Sequence, residues 1–557
     1  MKNLLVNIVK YESYIVFNYK KLRKKIFLST LFFLIIPFCF THAETLKTTI
    51  IVDANADRHA ISPLIYGISF GTTTALKDLR SPLNRSGGNN ASTYNWNLDA
   101  RNAGKDWYYE SLACDPAIIY DQFNDHFISL TQRANAAAML TIPMLEWSAK
   151  LGPNRHPLAS FAISKYGPQE ENDPNFFDAG NGVLTDGSPI SNADPNDAAV
   201  PNTVLSQKNR IIQLSSIWSV KKNHYYILDN EASIWHLAHR NLQPIGIHAD
   251  EFLQKTLNYS KMIKETDKNA QVVAPEEWGW LGYHYSGYDQ YNAATHGLEH
   301  APDRSTLMQG MDYIPWLLSK WKEAGHPVDI FSLHFYPQGG EYSESSDRSI
   351  ELARNRSTRV LWDPNYKDPT WINAVVELIP LMRRWVNEYY IPGTPIALTE
   401  YNWGGDELMN GATAQADLLG IFGREKLDIA TRWATPNANT PVYKAMKLYR
   451  NYDDRGGDFG DISIKTTVMN PDLVSAFSAV RQKDNSITIM IINKQLEYDA
   501  DITLSLQNIP QNGNYKIWQL AKNKISTLSE NHYKNGMLQS TLPPQSVTLF
   551  VIAQNSH

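Results

Sequence analysis

Two glutamates stand directly after short apolar runs in this sequence. Tyr225-Tyr226-Ile227-Leu228 leads through Asp229-Asn230 into Glu231, and Ile396-Ala397-Leu398-Thr399 leads into Glu400-Tyr401-Asn402-Trp403. Runs of this length read as buried strands, which puts both carboxyls at strand ends. Paired carboxyls suit cleavage of a glycosidic bond. One must be protonated, to give its proton to the leaving oxygen, and the other ionised, to attack the anomeric carbon or activate water. Burial or a like charge would raise the first pKa, while hydrogen bonds and a nearby cation would hold the second as an anion. Asn230, next to Glu231, has an amide that can reach a sugar 2-hydroxyl; elsewhere it would read as a turn residue.

The elements that must position these groups follow the alternation of a barrel. Residues 137–144, 225–228, 270–274, 328–333 and 396–398 read as buried strands, and residues 252–267, 313–324 and 372–390 show helical spacing of apolar positions. Strands alternating with helices over this length predict an α/β fold with a TIM-like (β/α)8 barrel, whose catalytic groups sit at the carboxyl ends of strands. Beyond residue 440, runs at 474–480, 487–492, 502–506, 515–520 and 546–552 are separated by Asn, Gly and Pro turns, with no long helical stretch. They predict an antiparallel β-sandwich, joined by the β-branched strand at 48–52. The expected division is a signal peptide at 1–43, an amino-terminal sandwich strand at 44–60, the catalytic barrel at 61–439 and the sandwich at 440–557. The Ser/Asn/Asp/Pro stretch 180–202 is expected as a long surface loop on the active-site side.

Several of these stretches resemble glycoside hydrolase family 44, the endoglucanase and xyloglucanase family, within the larger clan A of retaining (β/α)8 glycosidases. They are Tyr226-Ile227-Leu228-Asp229-Asn230-Glu231 with Trp235 and His239-Arg240, Pro275-Glu276-Glu277-Trp278-Gly279-Trp280, Asp329-Ile330-Phe331-Ser332-Leu333-His334-Phe335-Tyr336-Pro337, and Leu398-Thr399-Glu400-Tyr401-Asn402-Trp403-Gly404-Gly405. Gly87-Gly88-Asn89, Tyr94-Asn95-Trp96, Gly423-Arg424-Glu425 and Ala430-Thr431-Arg432-Trp433 also fit, in the expected order. The resemblance implies a retaining mechanism, a sandwich assembled from both chain ends, Glu231 as acid/base and Glu400 as nucleophile. Two positions depart from it. Ala232 follows the acid/base where the family usually has Pro, and Glu146 in Pro143-Met144-Leu145-Glu146-Trp147 puts a third carboxylate where a small or neutral residue is expected.

Around this pair the sequence offers supporting groups. His334 and Tyr336, one pleat apart after the run 328–333, can both face the barrel mouth. Tyr336 is expected to hydrogen-bond Glu400, and His334 a sugar hydroxyl or the acid/base. Arg85, before Gly87-Gly88-Asn89, would supply the cation beside Glu400, with Asn89 at the substrate. Trp433 is the expected stacking platform for the reacting sugar, with Trp278, Trp371 and Trp403 as further platforms. Glu276 is expected to bind a sugar hydroxyl or to cap a helix.

Composition agrees with a carbohydrate partner. The 557 residues hold 15 Trp, 29 Tyr and 19 Phe, flat apolar faces on which sugar rings can stack, although packing accounts for most of them. A net charge of -5 gives no basis for a nucleic-acid partner. Basic residues Lys20, Lys21, Arg23, Lys24 and Lys25, an apolar run at 26–40 and Thr41-His42-Ala43 read as a secretory signal, with an uncleaved anchor as the alternative. Nothing around Cys39 suits lipid attachment, so a secreted or periplasmic monomer without stable membrane association is expected. Its one remaining cysteine, Cys114, could form no intrachain disulfide.

No cofactor is required. The resemblance allows a structural calcium ion, for which Asp453-Asp454-Arg455-Gly456-Gly457-Asp458 is the candidate loop, although it lacks EF-hand spacing and reads equally as a turn. Among rivals, His236 and His239 lack a His-Glu-x-x-His motif, and no Gly-x-Ser-x-Gly follows a strand. A mannanase or exo-acting glycosidase of the same clan, or a non-catalytic polysaccharide-binding protein, remains as the alternative.

Overall fold

A computed structural model describes residues 46–218 and 223–553. The expected signal segment and Cys39 lie outside these residues. Eight parallel strands close into a barrel: Gly67–Ser69, Leu83–Ser86, Ala137–Ile142, His224–Leu228, Ala270–Glu277, Ile330–Phe335, Ile396–Tyr401 and Ile429–Arg432. Their side chains alternate. Leu83, Met139, Tyr225, Ile227, Val273, Ile330, Ala397 and Ile429 fill the lower interior, while neighbours such as Tyr226, Leu228 and Phe331 pack outward in the main core with the surrounding helices. This two-sided burial explains why the strands read as continuous apolar runs. Above that apolar plug the next inward positions are polar, and they build the site.

Two irregularities re-aim side chains at the top of the barrel. Between the fifth and sixth strands Pro275 faces Ser332 and Glu277 faces Leu333, so Glu276 is an extra residue, with a left-handed φ of 60°. Between the sixth and seventh, Leu333 faces Leu398 and His334 faces Glu400, so Thr399 is the extra residue. Each bulge breaks the two-residue alternation and turns one more side chain inward.

The second layer is a β-sandwich in one folded sheet path: Lys524–Tyr533, Gly513–Ala521, Ser546–Ile552, Ser486–Asn493, Val474–Arg481, Ile462–Thr467, Leu46–Asp53, Ala500–Gln507, Met537–Leu542. Both chain ends contribute. The amino-terminal strand pairs antiparallel with Ile462–Thr467 but parallel with Ala500–Gln507, so the sandwich is mostly rather than wholly antiparallel. Ile50, Val52, Ile489, Ile491, Leu504 and Phe550 share its core.

Three expectations about elements are corrected. A helix, Pro441–Arg450, lies past residue 440 and packs on Met409–Arg424, so the barrel's helical shell runs on beyond the expected boundary and the first sandwich strand after it starts at Ile462. The apolar spacing at 372–390 overstated its helix, which is Leu378–Tyr389; the preceding residues form a loop that brings Trp371 to the cleft. The 180–202 stretch packs elsewhere: 199–201 pairs with Trp147–Ala149, and none of the stretch lines the cleft.

Helix Met409–Arg424 is buried from Asn410 to Gly423 because it lies between barrel and sandwich. Close approach needs Gly420, where a Cβ would sit 2.1 Å from the Phe477 ring. A buried ion pair also crosses this junction: Lys494 Nζ lies 2.6 Å from Asp417 and also donates to the carbonyl of Pro471 at 2.9 Å. Among the described residues, no helix is long and apolar enough to cross a membrane.

Candidate active site

The chain from the fourth strand to Glu231 is pinned residue by residue. Asp229, at φ 63°, is fully buried and its carboxylate accepts the backbone N–H groups of Met144, Leu145 (3.0 Å) and Asn230 (2.8 Å). The Trp235 indole donates to the carbonyl of Asn230 at 3.0 Å, and the N–H of Glu231 donates to the carbonyl of Glu276 at 3.1 Å. Glu231 itself adopts a left-handed φ of 46°, a costly conformation for a residue with a side chain and one that clusters at functional sites.

Glu400 faces it. One oxygen of Glu231, one of Glu400 and a ring nitrogen of His334 all lie within 4.8 Å of one another. Arg85 Nη1 donates to Glu400 Oε1 at 2.7 Å and the Tyr336 hydroxyl to Oε2 at 2.8 Å. His334 bridges two carboxyls, with Nδ1 2.8 Å from Glu231 and Nε2 3.0 Å from Glu276. Arg85 Nη2 reaches Glu276 at 3.0 Å and Asn230 Oδ1 at 3.3 Å, and Asn230 donates to Asn89 at 3.2 Å.

The charges sort themselves accordingly. Burial raises the Glu231 carboxyl above its ordinary range, and the neighbouring Glu400 adds to this, against the opposing pull of His334. Burial alone would lower His334, but the charge of Glu400 and the hydrogen bonds to Glu231 and Glu276 overcome it and push the imidazole up to about 10. For Glu276, burial is outweighed by His334 and Arg85, which bring it down to about 2. Glu277, buried and hydrogen-bonded by Ser233, is raised to about 8. Glu231, its carboxyl raised, therefore faces two basic side chains, Arg85 and His334, and two further carboxyl groups, Glu276 and Glu400.

The cleft above has a volume of about 1120 Å³ and is lined by Asn89, Asn230, Glu231, Trp278, Tyr336, Trp371, Glu400 and Trp433, all singled out from sequence. Trp433 is half-buried, with the Arg85 guanidinium carbon 5.6 Å from its ring centre. Gly88, at φ 79°, lets the chain pass beneath it: a Cβ there would stand 2.5 Å from the indole. Trp371 is 39 % exposed and its indole donates to Gln338 at 3.0 Å.

Three expected site residues lie elsewhere. Trp403 is 2 % exposed, stacks on Phe335 and donates its indole N–H to Ser357, so it is core and no platform. Glu276 is completely buried beneath the cleft, where it binds Arg85, His334 and Thr399 and can meet neither a sugar nor a helix end. Glu146 is exposed and pairs with Lys255 at 2.9 Å, away from the cleft. His236 and His239 are both buried, which lowers each to about 4 and keeps the rings neutral. In the acidic loop, Asp453 accepts the N–H groups of Arg455 and Gly457, Asp454 pairs with Lys447, and Asp458 lies near Arg80 and Lys483. The three carboxylates turn to separate partners.

The sequence reading missed a second wall of the cleft. Trp280, His284 and Tyr285 lie there beside Arg304 and Asp312, with His284 3.0 Å and Arg304 2.7 Å from Asp312. On the other side stands Asp106, hydrogen-bonded by Asn89 at 3.5 Å and raised by burial to about 6. Only the aromatic residues in Trp278-Gly279-Trp280 carried any signal for this wall.

A closed parallel barrel with two carboxyls at the ends of its fourth and seventh strands, facing each other in an aromatic cleft, defines a (β/α)8 glycoside hydrolase. The profile of glycoside hydrolase family 44 matches residues 100–339. The crystal structure of CelM2, a bifunctional glucanase-xylanase from a metagenome library, shares 48% identity with a TM-score of 0.88, over 92% of this chain and 100% of that one. A Paenibacillus polymyxa xyloglucanase of family 44 shares 25% identity at a TM-score of 0.74, over 91% and 100% of the two chains. The β-mannanase/endoglucanase A of Caldicellulosiruptor saccharolyticus is 26% identical over 83% of this chain, which spans only 35% of that protein's length. The chain belongs to glycoside hydrolase family 44.

Proposed function

We propose that this chain is an endo-acting β-1,4-glucanase working on cellulose- or xyloglucan-type polysaccharides by double displacement with retention. The observation that carries the mechanism is the facing of Glu231 and Glu400 with oxygens within 4.8 Å. A retaining pair stands about 5–5.5 Å apart, whereas an inverting pair needs about 6.5–9.5 Å to admit a water. The donors support the roles. Arg85 and Tyr336 both donate to Glu400, matching a carboxylate that attacks as a nucleophile, while burial raises the Glu231 carboxyl, as suits the proton donor.

In the first step a Glu400 oxygen bonds to the anomeric carbon as the glycosidic C–O bond breaks, and the Glu231 proton passes to the departing oxygen. In the second, Glu231, now a carboxylate, takes a proton from water, whose oxygen displaces Glu400 from the same carbon. Asn230, held by Arg85 and Asn89, is placed for the sugar 2-hydroxyl, and Trp433 carries the ring. A purely polysaccharide-binding role would leave this buried ion network unexplained. The activities of the relatives support glucan as substrate, with xylan and mannan as further candidates. The basic-then-apolar amino terminus supports export, and the enzyme is taken to act as a monomer.

The test is release of reducing ends alongside viscosity for carboxymethylcellulose and xyloglucan. A rapid viscosity drop with few new ends, lost in Glu400→Gln, is expected. Binding without cleavage of any β-1,4-glucan or mannan would contradict the reading.

A further inference from the structure

Glu276 reaches no substrate, yet its carboxylate joins the two cations of the site. Oε2 accepts from Arg85 Nη2 and from His334 Nε2, both at 3.0 Å, and Oε1 accepts from the Thr399 hydroxyl at 2.7 Å. It is the extra residue of a bulge, and its side chain is 0% exposed. We infer that Glu276 is a positioning residue: a buried counter-ion that keeps His334 doubly protonated and Arg85 in place, and so sets the pH range over which Glu231 and Glu400 work together. This rests on the roles given above to those two glutamates.

Arg85 on Oε2 and Thr399 on Oε1 hold Glu276 as a carboxylate, so His334 Nε2 carries the hydrogen it shares with Glu276. His334 Nδ1 then determines what Glu231 does. With Nδ1 also protonated, the imidazolium donates to Glu231 Oε1, and the other Glu231 oxygen holds the proton that the leaving group needs. A neutral ring with its hydrogen on Nε2 would instead accept from Glu231 and draw that proton inward, away from the sugar. Glu276 favours the imidazolium because it puts a full negative charge against the far side of the ring.

The groups packed on this centre come from several elements, and the Tyr283 hydroxyl, which donates to the carbonyl of His334, stands among them. Arg85 enters from the second strand; Asn230 and Glu231 follow the fourth; Glu277 adjoins Glu276 and is held by Ser233; His334 lies on the sixth and Tyr336 just after it; Glu400 lies near the end of the seventh. Arg85 and His334 against Glu276 and Glu400 leave no net charge. Removing the charge of Glu276 leaves one positive charge in excess in a buried site, which the cluster relieves by giving up a proton at lower pH.

Glu276→Gln keeps the shape and removes the charge. The alkaline limb of its kcat/KM against pH is expected to move to lower pH by about one unit or more, with KM changed by less than about threefold. A second measurement needs no substitution at Glu276. In the wild-type chain, ¹⁵N spectra of labelled histidine, assigned by loss of a signal in His334→Gln, should show His334 as imidazolium at about pH 7.5, well above an ordinary histidine. In Glu276→Gln the same signal should be that of a neutral ring. A neutral His334 in the wild type, or a Glu276→Gln pH profile superimposable on the wild type, overturns the inference. The roles of the glutamates are checked separately by azide rescue of Glu231→Ala. If rescue fails, the acid/base assignment falls and the inference with it. If rescue succeeds while Glu276→Gln leaves the alkaline limb unmoved, the inference alone falls.

Discussion

Replacing Tyr336 by Phe removes one oxygen atom and tests how much of the nucleophile's reactivity comes from its donors. The lost bond is a 2.8 Å charge-assisted hydrogen bond to Glu400 Oε2. The other nearby donor on that oxygen, His334 Nδ1, is 3.7 Å away, too far to take over. Hydrogen bonds to charged groups contribute roughly 1.5–3 kcal/mol, which corresponds to about 10- to 150-fold in rate. Tyr336 is half-buried at the cleft, so water can partly replace its hydroxyl, and the low end, about 10- to 30-fold, is expected. The ring keeps its edge-on contact with Tyr342, at 5.3 Å between centres, so the fold should hold. Steady-state kinetics on a soluble β-glucan should place the loss in kcat and kcat/KM together, with KM nearly unchanged, because the bond matters most as the nucleophile's charge is spent. A loss below about threefold, or one confined to KM, would refute the reasoning.

Further predictions follow from the same geometry. Lys494→Met strands the buried carboxylate of Asp417 and should cost roughly 3–5 kcal/mol in urea unfolding; Lys494→Met with Asp417→Asn should recover most of it. Gly88→Ala forces a Cβ to within 2.5 Å of the Trp433 ring at a positive φ, so activity should fall by more than about tenfold while circular dichroism stays native. Trp371→Ala removes an exposed platform, and KM for long oligosaccharides should rise by roughly 2- to 10-fold with kcat kept. Glu110 is raised from 4.5 to about 8 by burial and by Asp173, so the folded chain holds a proton that the unfolded chain releases. Stability should therefore fall as pH climbs from about 4.5 to about 8 and level off above, and Glu110→Gln should flatten that slope in melting temperatures taken at about pH 5.5 and pH 8.

The facing carboxyls of Glu231 and Glu400 were legible because Tyr225 to Leu228 and Ile396 to Leu398 are apolar runs that stop at or just before an acid, and strand ends are where a barrel exposes such groups. His334 and Tyr336 were legible because they follow the apolar run 328–333, and Arg85 because it precedes Gly87-Gly88-Asn89. Glu276 was misplaced because a bulge, invisible to a two-residue alternation, turns it under the site. Trp403 and Trp433 each follow a barrel strand, and nothing in their local sequence distinguishes an indole packed on Phe335 from one standing in the cleft. The first, second and eighth strands span only Gly67–Ser69, Leu83–Ser86 and Ile429–Arg432, too short for periodicity to register. The wall of His284, Arg304 and Asp312 is assembled from segments that meet only in the folded chain. Helix Pro441–Arg450 was missed although Thr440, with its hydroxyl on the N–H of Tyr443, and Pro441 mark its start.

The central claim is that Glu400 becomes covalently bonded to the substrate. A 2-deoxy-2-fluoro cello-oligosaccharide with a good leaving group slows both steps, the second more, so the glycosyl-enzyme accumulates. Peptide mass spectrometry of the trapped protein should find the sugar on Glu400, and none in Glu400→Gln. A label on another residue, or turnover that releases the α-anomer with no trapped species, would contradict the account.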